Sequence, residues 1–209
     1  VHYEIDELIE VFTERLKVEK FKIDCKKGCH WCCSQAVFAT SWEILYLHHY
    51  MTLKLKPDEI ATIQHIAEKK NELTSVMGLT EMLQTKIFCP LLKDSKCSIY
   101  PARPMACRIY LSMDLNSCMA EYRDPGKKEI FARLYDFPFH AGRMLNQGIA
   151  AYLSEKEFRY SEITLESGLT SVLKQEDIRK EWLSGKDIFK TRELTKEEVA
   201  ILNNYTLRK

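Results

Sequence analysis

Eight cysteines fall in two sets, Cys25, Cys29, Cys32 and Cys33 close together and Cys89, Cys97, Cys107 and Cys118 spread over a later stretch. Thiolates are the preferred ligands of soft or borderline cations, so sulfurs gathered this densely are expected either to be bridged to each other or to share an ion. Positions 25, 29, 32 and 33 fall within roughly a third of a turn on a helical wheel. Gly28 argues for a bend among them, which still allows the sulfurs to converge. Disulfide frameworks belong mainly to short secreted domains without a sufficient core, and a chain of 209 residues, 45% hydrophobic, needs no such staples. Adjacent Cys32 and Cys33 are also awkward partners for one another. The expectation is metal ligation by all eight cysteines, as two tetrahedral four-sulfur zinc sites or as one cluster site with spare thiols.

A zinc held by four thiolates carries a net charge of about −2, which calls for donors nearby. Arg103 and Arg108 flank Pro104 and Cys107 and are expected to support the site structurally; Lys26 reads as a solvated charge. His30, inside the first set, could replace a thiolate, but with enough cysteines present it reads as a bystander. His48, His49 and His140 read as partly buried or surface histidines, Tyr100 beside Ile99 as core, and Trp31 as a shield over the sulfurs. The spacing of Cys25, Cys29 and Cys32 also matches the way radical S-adenosylmethionine enzymes hold a four-iron cluster. No repeated βα units supply the barrel such enzymes need, and Cys33 could close the open iron position. No glycine-rich phosphate loop, His-Glu-x-x-His motif or nucleophile with a paired base is present.

The surrounding elements are mostly helical. Ile5, Leu8, Ile9, Phe12 and Leu16 recur at helical spacing over residues 3–19. Thr40-Ser-Trp-Glu43 has the form of a capping box and predicts a helix to about Leu53. Pro57-Asp58-Glu59 suits a helix start, with Ile60, Ile63, Ala67, Leu73 and Met77 on one face and an end near Gly78. Leu79 to Lys86 predicts a further turn or two. Between Cys89 and Cys107 the pattern predicts a metal-held loop, with a turn at Lys93-Asp-Ser-Lys96, a small strand over Cys97-Ser-Ile-Tyr100, and Pro101 and Pro104 preventing a regular helix. After a turn at Asp124-Pro-Gly126, apolar residues on both sides of Pro138 predict a helix kinked or broken there. The tail predicts a short helix with Ile178 and Trp182, then a last one capped by Thr195-Lys-Glu-Glu198 and containing Val199 and Leu202.

The fold class expected is mainly α, a helical domain around a cysteine-rich, metal-stabilised loop core with at most a small strand pair. Residues 1–153 are expected to form the cysteine-cluster domain, and 154–209 a helical extension packed on it. Lysine plus arginine number 31 against 30 acidic residues, so no nucleic-acid footprint is expected. No apolar run long enough for a membrane span occurs, and the amino end is acidic and amphipathic, so a cytoplasmic location is expected, although the chain opens at Val1 and residues before it are left open.

The submotifs run in a fixed order: the first cysteine set, Cys89-Pro-Leu-Leu, Cys97-Ser-Ile-Tyr100, then Arg103-Pro-Met-Ala-Cys107-Arg108. In this the chain resembles the YkgJ-type cysteine-cluster family, over roughly residues 25–118. The resemblance implies zinc or iron chelation. One branch of the family is similar to flagellin lysine N-methylases, which makes methyl transfer from S-adenosylmethionine to a protein an activity implied by analogy. The leading expectation is a metal-binding protein. Its rivals are an iron–sulfur-dependent enzyme acting on a protein substrate, and a metal-delivery or partner-recruiting module using the polar segment from Ser154 onward.

Overall fold

The computed structural model describes residues 1–189 except 27, 128 and 176, together with 195, 197, 198 and 200. Helix α1 (His2–Val18) turns Ile5 and Leu16 inward, as its spacing predicts. Strand β1 (Phe38–Thr40) runs directly into α2 (Ser41–Lys54), where Thr40 and Glu43 form the expected capping box. Helix α3 (Pro57–Thr74) opens with proline in its first turn and ends before Gly78, which instead precedes α4 (Leu79–Gln84). Its buried stripe is Ile63, Ala67, Lys70 and Thr74. Leu73, predicted on the apolar face, is 54% exposed.

The cysteine-bearing loop is built from short pieces. A 3₁₀ turn, Trp31–Ser34, carries Cys32 and Cys33. Strands β2 (Leu92–Lys93) and β3 (Lys96–Cys97) form a hairpin whose two loop residues, Asp94 and Ser95, both take positive φ, at 49° and 60°. That backbone matches the twist of paired strands and suits Asp well. Ile99 and Tyr100 do not continue the strand: Tyr100–Ala102 is a 3₁₀ turn, because Pro101 cannot donate to a ladder. Helix α5 (Met105–Arg108) presents Cys107, and α6 (Leu115–Arg123), which the sequence pattern did not predict, presents Cys118.

Helix α7 (Asp136–Glu155) starts two residues before Pro138. The proline lies in the first turn, where its missing N–H would have had no helical partner, so no kink results. Residues 130–135 are not helical; Leu134 bridges to Ser112. Strand β4 (Glu162–Thr164) pairs antiparallel with β1, placing Ile163 opposite Ala39. Helices α8 (Leu165–Val172) and α9 (Ile178–Leu183) follow. Among the described residues the architecture is mainly helical with two small antiparallel strand pairs. The Thr195–Glu198 capping box forms, each residue's amide donating to the other's side chain at 3.0 and 3.2 Å. Val199 and Leu202 lie outside the described residues.

Two apolar clusters flank the cysteine loop. The larger joins β1, α2, α3, β4, α8 and α9 through Ile44, Leu47, Ile163, Leu169 and Trp182, with Cys89, Cys97 and Cys107 packed against it. The smaller joins α1 and α5 through Ile5, Met105 and Ile109, with Phe139, Ala141 and Leu145 of α7 packed against them. At Gly142 the α7 backbone approaches so closely that an added Cβ would stand 2.3 Å from Ile109 Cγ2 and 3.0 Å from Met105 Sδ. Glu43 links the clusters: one carboxylate oxygen takes the Thr40 amide and hydroxyl at 2.9 and 2.8 Å, and the other takes the Met105 amide at 2.6 Å. Arg108, fully buried, pairs with Asp6 and donates to the carbonyls of Pro101 and Arg103, fastening α5 to α1 and to the turn before it.

Gly142→Val overpacks the α5–α7 contact and should cost about 1–3 kcal/mol in urea unfolding. Arg108→Met leaves two carbonyls without a donor and should cost about 2–4 kcal/mol. Asp6 is 43% exposed, so Asp6→Asn should cost less than about 1 kcal/mol in the same assay.

Candidate metal centre

All eight cysteines are unpaired thiols carried by four separated parts of the chain. Backbone hydrogen bonds do much of the gathering. The Cys89 amide donates to the Cys33 carbonyl at 2.7 Å, joining the Cys89 loop to the 3₁₀ turn. The Asp24 amide donates to the Ser112 carbonyl at 3.2 Å, and Asp24 Oδ2 accepts from the Leu115 amide at 2.8 Å, so the segment before Cys25 also starts α6.

The thiols raise one another in two sets: Cys33 and Cys97 raise both Cys107 and Cys89, and Cys89 also raises Cys107. Cys25 and Cys29 raise Cys118, and Ser112 meets Cys25 Sγ at 3.1 Å and Cys118 Sγ at 3.2 Å. Cys32 stands between the groups, hydrogen-bonded to Cys33 and facing both Cys25 and Cys107. All except Cys118 border a cavity of about 1500 Å³, which is also lined by Phe139, Gly142, Arg143 and Asn146 of α7.

Burial keeps most of these thiols protonated. It pushes Cys89 up to about 12, and raises Cys25, Cys97, Cys107 and Cys118. The Cys32 thiol is raised by donating to Cys33 and then by burial, while receiving that hydrogen bond lowers Cys33. Against this, backbone amides face several sulfurs: Leu91 faces Cys89, Ile99 faces Cys97, and the Ser112 amide donates to Cys25 Sγ at 3.1 Å. Cys118 Sγ lies 3.2 Å from Ser112 Oγ. Amide donors of this kind favour the thiolate form that a cation requires.

The nearby charges differ from those the sequence singled out. Arg108 is spent on Asp6 and two carbonyls, and Lys26 is exposed. Arg103 does face Cys97 and Cys107, while stacking over Tyr100 at 4.0 Å. Tyr100, expected in the core, is 59% exposed and serves as the platform for that guanidinium. Lys70, which sequence reading passed over, faces Cys33 and Cys89 from α3. The missed signal was its place on the Ile63–Ala67–Thr74 stripe. Glu121, also missed, accepts from Gln35, Tyr110 and the Ala132 amide at 3.0, 3.3 and 3.2 Å, and faces Cys118. His30 turns to the Gly28 carbonyl and stacks on Trp31, which packs edge-on against Tyr122 at 5.2 Å. His49 and His140 are exposed and His48 is half-buried.

The donor set fits a thiophilic cation: eight thiols, with backbone amides aimed at several of the sulfurs. As the side chains stand, no three His, Cys, Asp or Glu among the described residues are arranged to hold an ion. Ligation thus requires thiol deprotonation and a rearrangement of the sulfurs, as expected where binding and local ordering are coupled. Among the described residues no helix is long and apolar enough to cross a membrane.

No curated protein and no solved structure matches the chain. A family model described as "CxxCxxCC: Putative zinc- or iron-chelating domain" matches residues 24–131, just over half of it. That span contains every cysteine, and the chain belongs to this family of zinc- or iron-chelating cysteine-cluster domains.

Proposed function

We propose that the protein chelates zinc or iron through two four-thiolate sites. Cys33, Cys89, Cys97 and Cys107 form one, here the inner site; Cys25, Cys29, Cys32 and Cys118 form the other, the outer site. The observation that carries this reading is how the contacts join the first cysteine set to sulfurs far along the chain: the Cys89 amide donates to the Cys33 carbonyl at 2.7 Å, and Ser112 meets both Cys25 Sγ at 3.1 Å and Cys118 Sγ at 3.2 Å. Four thiolates satisfy a tetrahedral ion, and a closed site of this kind contributes directly to folding. Here it would fasten the loop from Cys89 to Cys107, whose own elements are only two to four residues long. Eight unpaired thiols also suit a reducing compartment such as the cytoplasm.

A second reading, an iron–sulfur-dependent enzyme, draws on the cavity of about 1500 Å³ beside the sulfurs. That volume is ample for a small-molecule cosubstrate or an inserted protein side chain. Methyl transfer to a protein is one form this chemistry could take.

Anaerobic purification under reducing conditions, without added metal, should yield about two equivalents of zinc plus iron by elemental analysis. Cys107→Ser and Cys118→Ser should each remove about one equivalent. Less than one equivalent in the unaltered protein would rule out the proposal. A colourless protein supports closed ion sites, whereas a brown one with acid-labile sulfide moves the conclusion to the second reading.

A further inference from the structure

The cavity of about 1500 Å³ is lined by more than sulfur. Along α7, Phe139, Gly142, Arg143, Asn146, Gln147 and Ala150 recur at helical spacing and all border it, so one face of that helix forms a wall. Tyr160, just before β4, and Glu162 within it border the same space. Side chains alternate along a strand: Ile163 enters the larger apolar cluster, which sends Glu162 to the other face. Phe38 of β1, paired with Thr164, shares that face and also borders the cavity. Phe131 and Gln147, both lining residues, are exposed, so the cavity opens to solvent.

The polar atoms of this wall are acceptors short of donors. Asn146 Oδ1 is buried and receives no hydrogen bond among the described residues. The half-buried Glu162 carboxylate has one hydrogen-bond partner among them, the Tyr160 hydroxyl, at 3.5 Å, the outer limit of such a bond. It takes part in no ion pair among the described residues, and Arg143 holds its guanidinium over the Phe139 ring, 5.5 Å from the centroid. Burial raises the Glu162 carboxyl, and Arg143 offsets only part of that rise. A carboxylate and a carboxamide oxygen withdrawn from water without donors cost free energy that a donor-bearing ligand returns.

We infer that the α7–β4 side of the cavity is a binding site for an organic ammonium, whose N–H groups are taken by Glu162 and Asn146 and whose apolar stem lies against Phe38 and Ala150. A protonated amine supplies both things this wall lacks, several donors and a positive charge, and charge-assisted hydrogen bonds are the stronger kind. A neutral alcohol supplies a donor without the charge, and a carboxylate is repelled by Glu162. The mixture of apolar lining and a few convergent polar groups is that of a small-ligand pocket. The site stands on this wall alone and does not depend on how many ions the sulfurs hold.

Calorimetric titration of the full-length protein, purified under reducing conditions, tests this with n-hexylamine hydrochloride as the probe. Hexylammonium is expected to bind one to one, hexan-1-ol about tenfold or more weakly, and hexanoate not at all. Glu162→Gln should weaken hexylammonium about tenfold while leaving hexan-1-ol unchanged, and Asn146→Leu should weaken it about threefold or more. Ala150→Trp, which fills the wall, should abolish binding of both. Elemental analysis of each variant should return the metal content of the unaltered protein, which keeps this test separate from that of the metal sites. A blocked five-residue peptide with one central lysine distinguishes the sources: binding as tight as that of hexylammonium assigns the site to a protein side chain, and binding of hexylammonium alone assigns it to a free amine. Equal affinity for hexan-1-ol, no heat from hexylammonium up to about 10 mM, or unchanged affinity in Glu162→Gln overturns the inference.

Discussion

Buried charge must be hydrogen-bonded or it destabilises the fold, and in this chain that constraint falls first on Glu43. Its carboxylate is 1% exposed and is satisfied by Thr40 on one oxygen and by the Met105 amide on the other. One side chain therefore starts α2 and sets the entry to α5, the element that delivers Cys107. The neighbouring Arg108 network fixes the far end of the same short helix. A helix of four residues has almost no stability of its own. Its position is dictated by these two contacts and by the Gly142 approach of α7, and the sulfur it carries is placed accordingly.

The same logic extends through the cysteine region. None of its elements buries enough surface to stand alone, so each leans on a helix. The 3₁₀ turn rests on α6 through Trp31 and Tyr122, the hairpin docks on α3 through the Lys93–Glu59 ion pair, and α5 rests on α1 and α7. Membership of a zinc- or iron-chelating family fits a region of this kind, in which regular structure supplies the frame and sulfur supplies the chemistry.

Much of this was legible in the residues. The helices of the first half announce themselves by period and caps, and the Thr40–Glu43 box forms as its spacing requires. The hairpin turn at Lys93–Lys96 follows from residues that tolerate positive φ. What escaped reading was whatever depended on a partner. Cys118 sits on a helix of only nine residues whose start is capped by Asp24 and Asp114, one of them remote in sequence. Pro138 looked like a break because its helix begins later than the apolar pattern suggests. Lys70 drew no notice, since only packing against α8 and Glu166 reveals that its face of α3 is covered. Arg108 was read as supporting the sulfurs, yet its guanidinium serves Asp6 and two carbonyl oxygens.

The adjacency of Cys32 and Cys33 has a mechanical corollary. In a 3₁₀ turn successive side chains diverge by about 120°, yet the Cys32 thiol still donates to Cys33, so the two sulfurs share both a hydrogen bond and one peptide unit. Drawing either sulfur away breaks that bond and turns the peptide between them. Neither can therefore be retuned in shape without the other registering the movement.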